Sequence, residues 1–359
     1  MKKLRNVMFV FLVLAFIICL TLGLLFRHYS SPVGGSNEMI KVTLKGNNAI
    51  EMAETLEKEG LIRSTTFFKI YLKLFNIDGK ELKAGTYNLN KEMSLREIID
   101  ALRKGNNYNE DEISITFREG ITMRDVAKVI ANNTNNKEED VMNLLKDTDY
   151  LKELITKYWF ITEDILDSKI YYSLEGYLFP ETYRFQNKDV TVKEIFAKLL
   201  DQMDTILKPY KEDIEKSTFK VHEILTLASI AEKEVKGISD YREKVVSVFE
   251  NRLSRGMSLG SDVTTRYSLK IDDQKQVLKK SQYAAVNAYN TRSTTMAGKL
   301  PAGPISTVSE KSIKAVLYHD KTDYIYFIAN IQTGETFFYT NAREFEAKKA
   351  ELSKVNGGL

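Results

Sequence analysis

Leu225–Glu234 reads LTLASIAEKE, and this stretch decides how the chain is understood. Its apolar residues continue a helical pattern that runs from about Val221 to Val235. Ile224, Leu225, Leu227, Ala228, Ile230 and Ala231 cover much of the circumference, so the helix is expected to be buried. It ends in two acids, and buried acids are costly unless paired or hydrogen-bonded. By helical spacing Glu234 shares a face with Leu227, Ile230 and Ala231, whereas Glu232 shares one with Ala228 and Ser229. Glu234 is therefore expected over the apolar face, partly desolvated and able to hold a proton near neutral pH. A donor of that kind suits glycosidic bond cleavage, where the leaving oxygen must be protonated. The plainer reading is a solvated or salt-bridged helix end, with Lys233 or Arg252 as the partner.

Outward from this helix, both flanks carry further polar motifs. Upstream, Leu174–Tyr183 reads LEGYLFPETY: an acid, Glu175, followed at once by glycine, with Tyr177 and other aromatics around it. Aromatic faces suit the C–H faces of pyranoses, which makes Glu175 a second candidate acid; its plainer role is a turn or cap residue. Downstream come VFENRL (Val248–Leu253), with Asn251 and Arg252, and a Gly/Ser-rich stretch from Gly256 that begins as a loop. That stretch carries Asp262, Thr264 and Tyr267. Tyr289, Asn290 and Thr291 sit in another polar loop, and LPAGPI (Leu300–Ile305) is a rigid turn. Three of the five prolines, Pro180, Pro301 and Pro304, fall in these segments, which suggests shaped loops around a cleft. Tyr324–Ile328 and Thr336–Tyr339 read as a hairpin turning near Gly334, and Ala342–Val355 as an exposed terminal helix.

The amino-terminal region reads differently. Val7–Phe26 is an uncharged apolar run, long enough as a helix to cross a hydrocarbon core of ~30 Å. Lys2, Lys3 and Arg5 before it place the short tail in the cytoplasm and the bulk outside. No convincing small-residue cleavage site follows, which favours an uncleaved anchor over a signal peptide. Residues 27–39, rich in Pro, Gly and Ser from Ser30 to Glu38, read as a linker lifting the folded part from the membrane. Ile40–Leu44 alternates like a strand, and Gly46 is expected to turn the chain. Asn48 with Glu51 has capping-box spacing, a second helix starts at Ser64, Gly85–Leu89 returns as a strand, and Ser94 with Glu97 caps another helix. This strand–helix–helix–strand order resembles LysM modules, which bind N-acetylglucosamine-containing glycans; a generic α+β packing unit fits it as well. Ile113–Ile130 repeats the strand–turn–helix pattern weakly. Asn132–Asp140 reads as a polar loop, and Val141–Phe160 as one helix.

Bulk properties bound the alternatives. The 359 residues suffice for two or three domains, and 43% hydrophobic with 28% charged content describes a folded protein. A net charge of +3, from 52 basic and 49 acidic side chains, gives no support to nucleic-acid binding. One cysteine, Cys19, excludes an intramolecular disulfide, and with three scattered histidines no metal site is expected. The predicted class is α+β: a cytoplasmic tail (1–6), an anchor helix (7–26), a linker (27–39), a LysM-like subdomain (40–110) and a catalytic domain (111–359).

The motifs LEGYLFPETY, ASIAEKE, VFENRL, Asp262-x-Thr264-x-x-Tyr267, AYNT (Ala288–Thr291) and LPAGPI occur in that order. Together they resemble the YceG-like family, the endolytic murein transglycosylases. The resemblance implies cleavage of nascent peptidoglycan strands between N-acetylmuramic acid and N-acetylglucosamine, leaving 1,6-anhydro ends, with no metal or cofactor. It maps the catalytic glutamate onto Glu234. Glu175, Tyr177, Ser229, Glu232, Asn251, Arg252, Asp262, Thr264, Tyr267, Tyr289, Asn290 and Thr291 match other motif positions, which by resemblance line or brace the cleft. Peptidoglycan synthases of the elongation or division machinery are the partners it implies. Four departures bear on cleft shape: Val263 replaces a usual proline, Arg292 a usual aromatic, Ala302 the second proline of the turn, and Thr307, Val308 and Ser309 the asparagine–proline–glycine that often follows it. Two other functions compete: a muramidase using Glu175 or Asp262 to activate water, and a non-catalytic tether that binds peptidoglycan.

Overall fold

A computed structural model describes residues 2–35, 37–45, 48–105, 111–235, 240–273, 276–330 and 332–355. The chain divides into two compact units, Met1–Glu110 and Asp111–Leu359. Both mix α-helices with two-stranded antiparallel sheets, so the class is α+β.

The first unit opens with α1 (Lys2–Ser30), among the described residues the one helix long and apolar enough to span a membrane. Then follow β1 (Ile40–Leu44), α2 (Ala49–Lys58), α3 (Thr65–Leu74), β2 (Gly85–Leu89) and α4 (Leu95–Lys104). The strand–helix–helix–strand order is the one expected, and β1 pairs antiparallel with β2 from Ile40↔Leu89 to Leu44↔Gly85. The expected turn at Gly46 lies outside the described residues. Alternation puts Val42, Leu44, Tyr87 and Leu89 inward, against Met52, Leu56, Phe68, Ile98 and Leu102 of the helices. Ser94 caps α4 in a full capping box, giving a hydroxyl to the Glu97 carboxylate that also receives the Ser94 N–H at 2.7 Å.

The free linker expected over 27–39 is not what forms. Residues 27–30 complete α1, and the next turn is tied down by Arg63. Its guanidinium donates to the carbonyls of His28, Ser31, Pro32 and Val33 at 2.6–3.2 Å. The physical reason is that the last carbonyls of a helix need donors, and one arginine fork supplies several. Gly34 N–H adds a bond to Lys91 O, and Gly35 N–H one to the Glu92 carboxylate.

The second unit begins with β3 (Ile113–Thr116), α5 (Met123–Asn133), α6 (Glu138–Leu144) and α7 (Thr148–Lys157). The single helix expected over Val141–Phe160 is thus two, because Asp147 caps α7 by accepting from the N–H groups of Asp149 and Tyr150. The loop expected over Asn132–Asp140 is shorter than that span, since α5 runs to Asn133 and α6 starts at Glu138. β4 (Thr182–Phe185) pairs with β3, after which come α8 (Val192–Leu207), α9 (Lys211–Lys216), α10 (Val221–Glu234) and α11 (Arg242–Ser254). The chain closes with α12 (Asp262–Ser268), α13 (Lys280–Tyr283), α14 (Glu310–Tyr318), the hairpin β5 (Tyr326–Ala329) and β6 (Thr336–Tyr339), and α15 (Ala342–Val355). The core gathers around α10, which is buried from Val221 through Glu232 except at Glu223 and packs against α11, α12 and α14.

Candidate active site

Because α10 is buried on all sides, its faces do not distinguish the two acids; its end does. Glu232 lies two residues inside the helix end, 9% exposed, and is fully engaged. It accepts from the Ser309 N–H at 3.1 Å and from the hydroxyls of Ser309 and Ser312 at 2.5 Å, and it pairs with Arg242 at 3.1 Å. Burial opposes its charge, but the two hydroxyls and Arg242 outweigh that and hold the carboxyl below its usual range. Glu232 is thus a buried, paired acid, and its ion-pair partner is Arg242 rather than Lys233 or Arg252. Lys233 reaches the Gly120 carbonyl at 3.0 Å.

Glu234 is the last residue of α10, half-buried where the helix emerges from the core. Ser261 donates its hydroxyl to Glu234 Oε1 at 2.5 Å. A serine hydroxyl can donate to a carboxylate and equally to the carbonyl oxygen of a carboxylic acid, so it can serve both protonation states.

Ser261 is the site residue that sequence reasoning missed. It stands at the N-cap position of α12, where a serine normally caps the helix, yet its side chain makes no cap bond and turns to Glu234 instead. Two threonines hold its backbone: Ser261 N–H donates to Thr291 Oγ1 at 3.1 Å, and Thr264 Oγ1 donates to the Ser261 carbonyl at 2.8 Å. Thr264 and Thr291 hydroxyls also meet each other at 2.7 Å. Asn290 continues the clamp. Its amide donates to the carbonyls of Tyr283 and Ala285, and its oxygen accepts from Thr265 at 2.6 Å. Thus Thr264, Asn290 and Thr291, all fully buried, brace the loop that aims Ser261. Ser261→Ala is expected to lower kcat about 10- to 100-fold, the scale of one bond to a charged group. Thermal stability should barely move, since no cap is lost, and Ser261→Thr should restore the rate; kinetics and melting curves of the three proteins check this.

The far end of α12 reaches Glu175. Tyr267 donates to Glu175 Oε2 at 3.0 Å, and Met123 N–H, opening α5, donates to both carboxyl oxygens at 2.9 and 3.0 Å. Glu175 is 2% exposed, so it braces the fold and cannot meet a glycan. Burial, opposed by the Met123 and Tyr267 bonds, pushes its carboxyl up to about 8. The sign follows from the neutral form being favoured in the fold. Its contribution is complete below the usual carboxyl value of 4.5 and is lost as pH rises to about 8. Urea unfolding of the wild type should therefore show declining stability across that window, and Glu175→Gln should remove this component of the decline.

The remaining motif residues also brace. Tyr289 is wedged between Tyr171 and Tyr267, with ring centroids 4.6 and 4.9 Å away. Tyr177 is buried, and its hydroxyl meets His222 Nδ1 at 2.7 Å. Ser229 accepts from Ile305 N–H at 3.0 Å and so ties the LPAGPI turn to α10. Asn251 donates to the carbonyls of Thr322 and Tyr324, and Arg252 to those of Leu259 and Ile325 at 2.6 Å. Gly260, at a φ of +67°, gives Arg252 room, because a Cβ there would lie 2.8 Å from its Nη1. Asp262 is half-buried, and it pairs with Arg292 at 2.5 Å.

Three of the departures find local explanations. Arg292 neutralises Asp262 and lies over the Tyr283 ring. Val263 occupies the first turn of α12, where proline is tolerated but not required. Ala302 donates its N–H to the Ala288 carbonyl at 3.0 Å, a bond a proline could not make.

A model of the YceG-like family matches residues 42–351. Over 313 residues the chain is 33% identical to an endolytic murein transglycosylase of Bacillus subtilis, covering 87% of this chain and 84% of that protein. It is 30% identical over 324 residues to an endolytic murein transglycosylase of Streptococcus pneumoniae, of which it spans 58%. A crystal structure of a yceG-like protein from Listeria monocytogenes matches with a TM-score of 0.61 at 31% identity, over 87% of this chain and 99% of that one. With the family model covering most of its length, and relatives at this identity across it, the chain belongs to the YceG-like family.

Proposed function

We propose that this chain is an endolytic murein transglycosylase, a membrane-anchored lyase of peptidoglycan glycan strands, with Glu234 as its acid and base. The observation that carries the reading is the position of Glu234. It is the acid at the open end of a buried helix, held by Ser261, in a chain one-third identical to a protein of that name. Glu175 is buried, Glu232 is committed to Arg242 and Asp262 is paired with Arg292, so Glu234 is the motif acid we assign to exchange a proton with a glycan.

The chemistry needs one such group. Glu234 protonates the glycosidic oxygen between N-acetylmuramic acid and N-acetylglucosamine, and the C1–O bond breaks with its electron pair going to the leaving sugar. The resulting carboxylate takes the proton of the muramic C6 hydroxyl as that oxygen bonds to C1. The 1,6-anhydro ring closes, the carboxyl is protonated again, and no water is consumed. Ser261 donates to Oε1, which leaves the other carboxyl oxygen to give and take the proton. The first unit serves as a LysM-like glycan-holding module beside the anchor. The tail is cytoplasmic, the second unit is extracytoplasmic, and wall synthases are its working partners.

Endolytic action is tested by incubating the full chain in detergent with long uncross-linked strands. Strand lengths should fall to a broad intermediate distribution without early release of disaccharides. Disaccharides appearing first, with long strands surviving, would overturn the internal-cleavage reading.

A further inference from the structure

The first unit exposes a short apolar stripe exactly where the anchor ends. Phe26 is the last residue of the apolar run, and its ring lies 5.6–6.2 Å from those of Phe67, Tyr71 and Phe75 on and just after α3. Tyr29, three residues on, stacks on Phe67 at 5.2 Å. With Arg63 holding the carbonyls of residues 28–33, α3 is fixed beside the final turns of α1.

On α3 itself, Ile70 is 53% and Leu74 64% exposed, and Phe75 behind them is 51% exposed. At 100° per residue, Ile70 and Leu74 lie 40° apart, next to Phe67 and therefore next to the anchor. Lys69 and Lys73 are exposed on the opposite flank of this stripe, and α3 contains no acidic residue. Contiguous apolar exposure of this kind calls for a partner.

We propose that α3 lies in the membrane–water interface, its Ile70–Leu74 stripe set among the upper acyl chains and its lysines among anionic headgroups. The inference rests on reading α1 as a membrane anchor. The occupant follows from position. If Val7–Phe26 crosses the hydrocarbon, Phe26 marks the far boundary, and a helix packed on Phe26 is at headgroup depth. An apolar stripe flanked by lysines is the pattern of helices that lie in that layer. The first unit would then rest on the bilayer instead of being held away from it.

The test uses the full chain in vesicles of equal phosphatidylcholine and phosphatidylglycerol, with an environment-sensitive fluorophore on one cysteine. Native Cys19 reports the anchor, and Leu74→Cys in a Cys19→Ser background reports α3. The Leu74 position should emit blue-shifted. A nitroxide near the headgroup end of the acyl chain should quench it about twofold or more strongly than one near the chain's methyl end, as for a shallow helix. Water-like emission at position 74, quenched by iodide and by neither lipid, would overturn the proposal while a quenched Cys19 probe kept the anchor. An unquenched Cys19 probe would overturn both.

Discussion

Glu234→Gln is expected to abolish strand cleavage, with kcat reduced by roughly 10⁴-fold, the upper range for one acid–base group because here it acts twice. The amide can still accept from Ser261, so the site keeps its shape and loses only the proton. The melting temperature should stay within about 2 °C of wild type, as for a substitution outside the core. Binding to strands should persist, which separates the account from a pure tether, where this change would cost nothing. Loss of cleavage together with loss of the folded state would carry no information about chemistry, so melting curves belong in the same experiment.

Gly176→Ala is expected to have the largest effect on stability. Gly176 has a φ of +80°, and a Cβ built on it would lie 2.3 Å from Pro304 Cβ and 2.7 Å from its Cγ. Two penalties add. A non-glycine residue in left-handed backbone costs about 1–2 kcal/mol, and forced displacement of a packed neighbour about 1–3 kcal/mol. Pro304 is part of the LPAGPI turn that Ser229 ties to α10, so the neighbour is not free to move. The sum of roughly 2–5 kcal/mol should lower the melting temperature of the second unit by about 5–15 °C. Gly256→Ala is the matched control, since its φ of +65° is similar but nothing lies within 4 Å of its Cβ position. If both variants melted alike, backbone strain alone would account for the loss and the Pro304 contact would be worth little.

Much of the fold was legible because local signals agreed. Alternation in Ile40–Leu44 and Gly85–Leu89, with the Ser94–Glu97 box between helix and strand, predicted the first unit's element order. The bounds of α15 and of the strand Thr336–Tyr339 followed from periodicity in the same way. What was not legible depended on partners distant in sequence. β4 is part of the aromatic LEGYLFPETYRF run and becomes a strand by pairing with β3, some 66 residues away, through Thr116↔Thr182. The Pro/Gly/Ser composition after α1 signals flexibility, but Arg63 removes it. Asp147 was available as a cap inside an apolar pattern long enough to hide it.

The site shows the same division. Its motif residues could be named, but periodicity could not say which of them touch solvent. Helical spacing set Glu234 on an apolar face and Glu232 on another, a distinction that fails because burial surrounds α10; what separates the two is position along its axis. Glu175 looked like a second acid because an acid beside glycine and aromatics has the right chemistry; its burial under Met123 and Tyr267 is a tertiary fact. Ser261 was hidden because a serine before a helix is ordinarily a cap. Only the neighbouring end of α10, 27 residues earlier, gives it another use.

The central claim is that one carboxyl, Glu234, breaks the glycosidic bond without water. Mass spectrometry of the new strand ends tests it most directly, with full-length wild type, Glu234→Gln and Glu175→Gln incubated on the same uncross-linked peptidoglycan. The account predicts ends lighter by one water than reducing muramic acid, from wild type and Glu175→Gln alike, and none from Glu234→Gln. Reducing ends from wild type would contradict it by requiring a second, water-activating acid such as Asp262. Anhydro ends that persist in Glu234→Gln and vanish in Glu175→Gln would leave the reaction standing and assign it to the wrong residue.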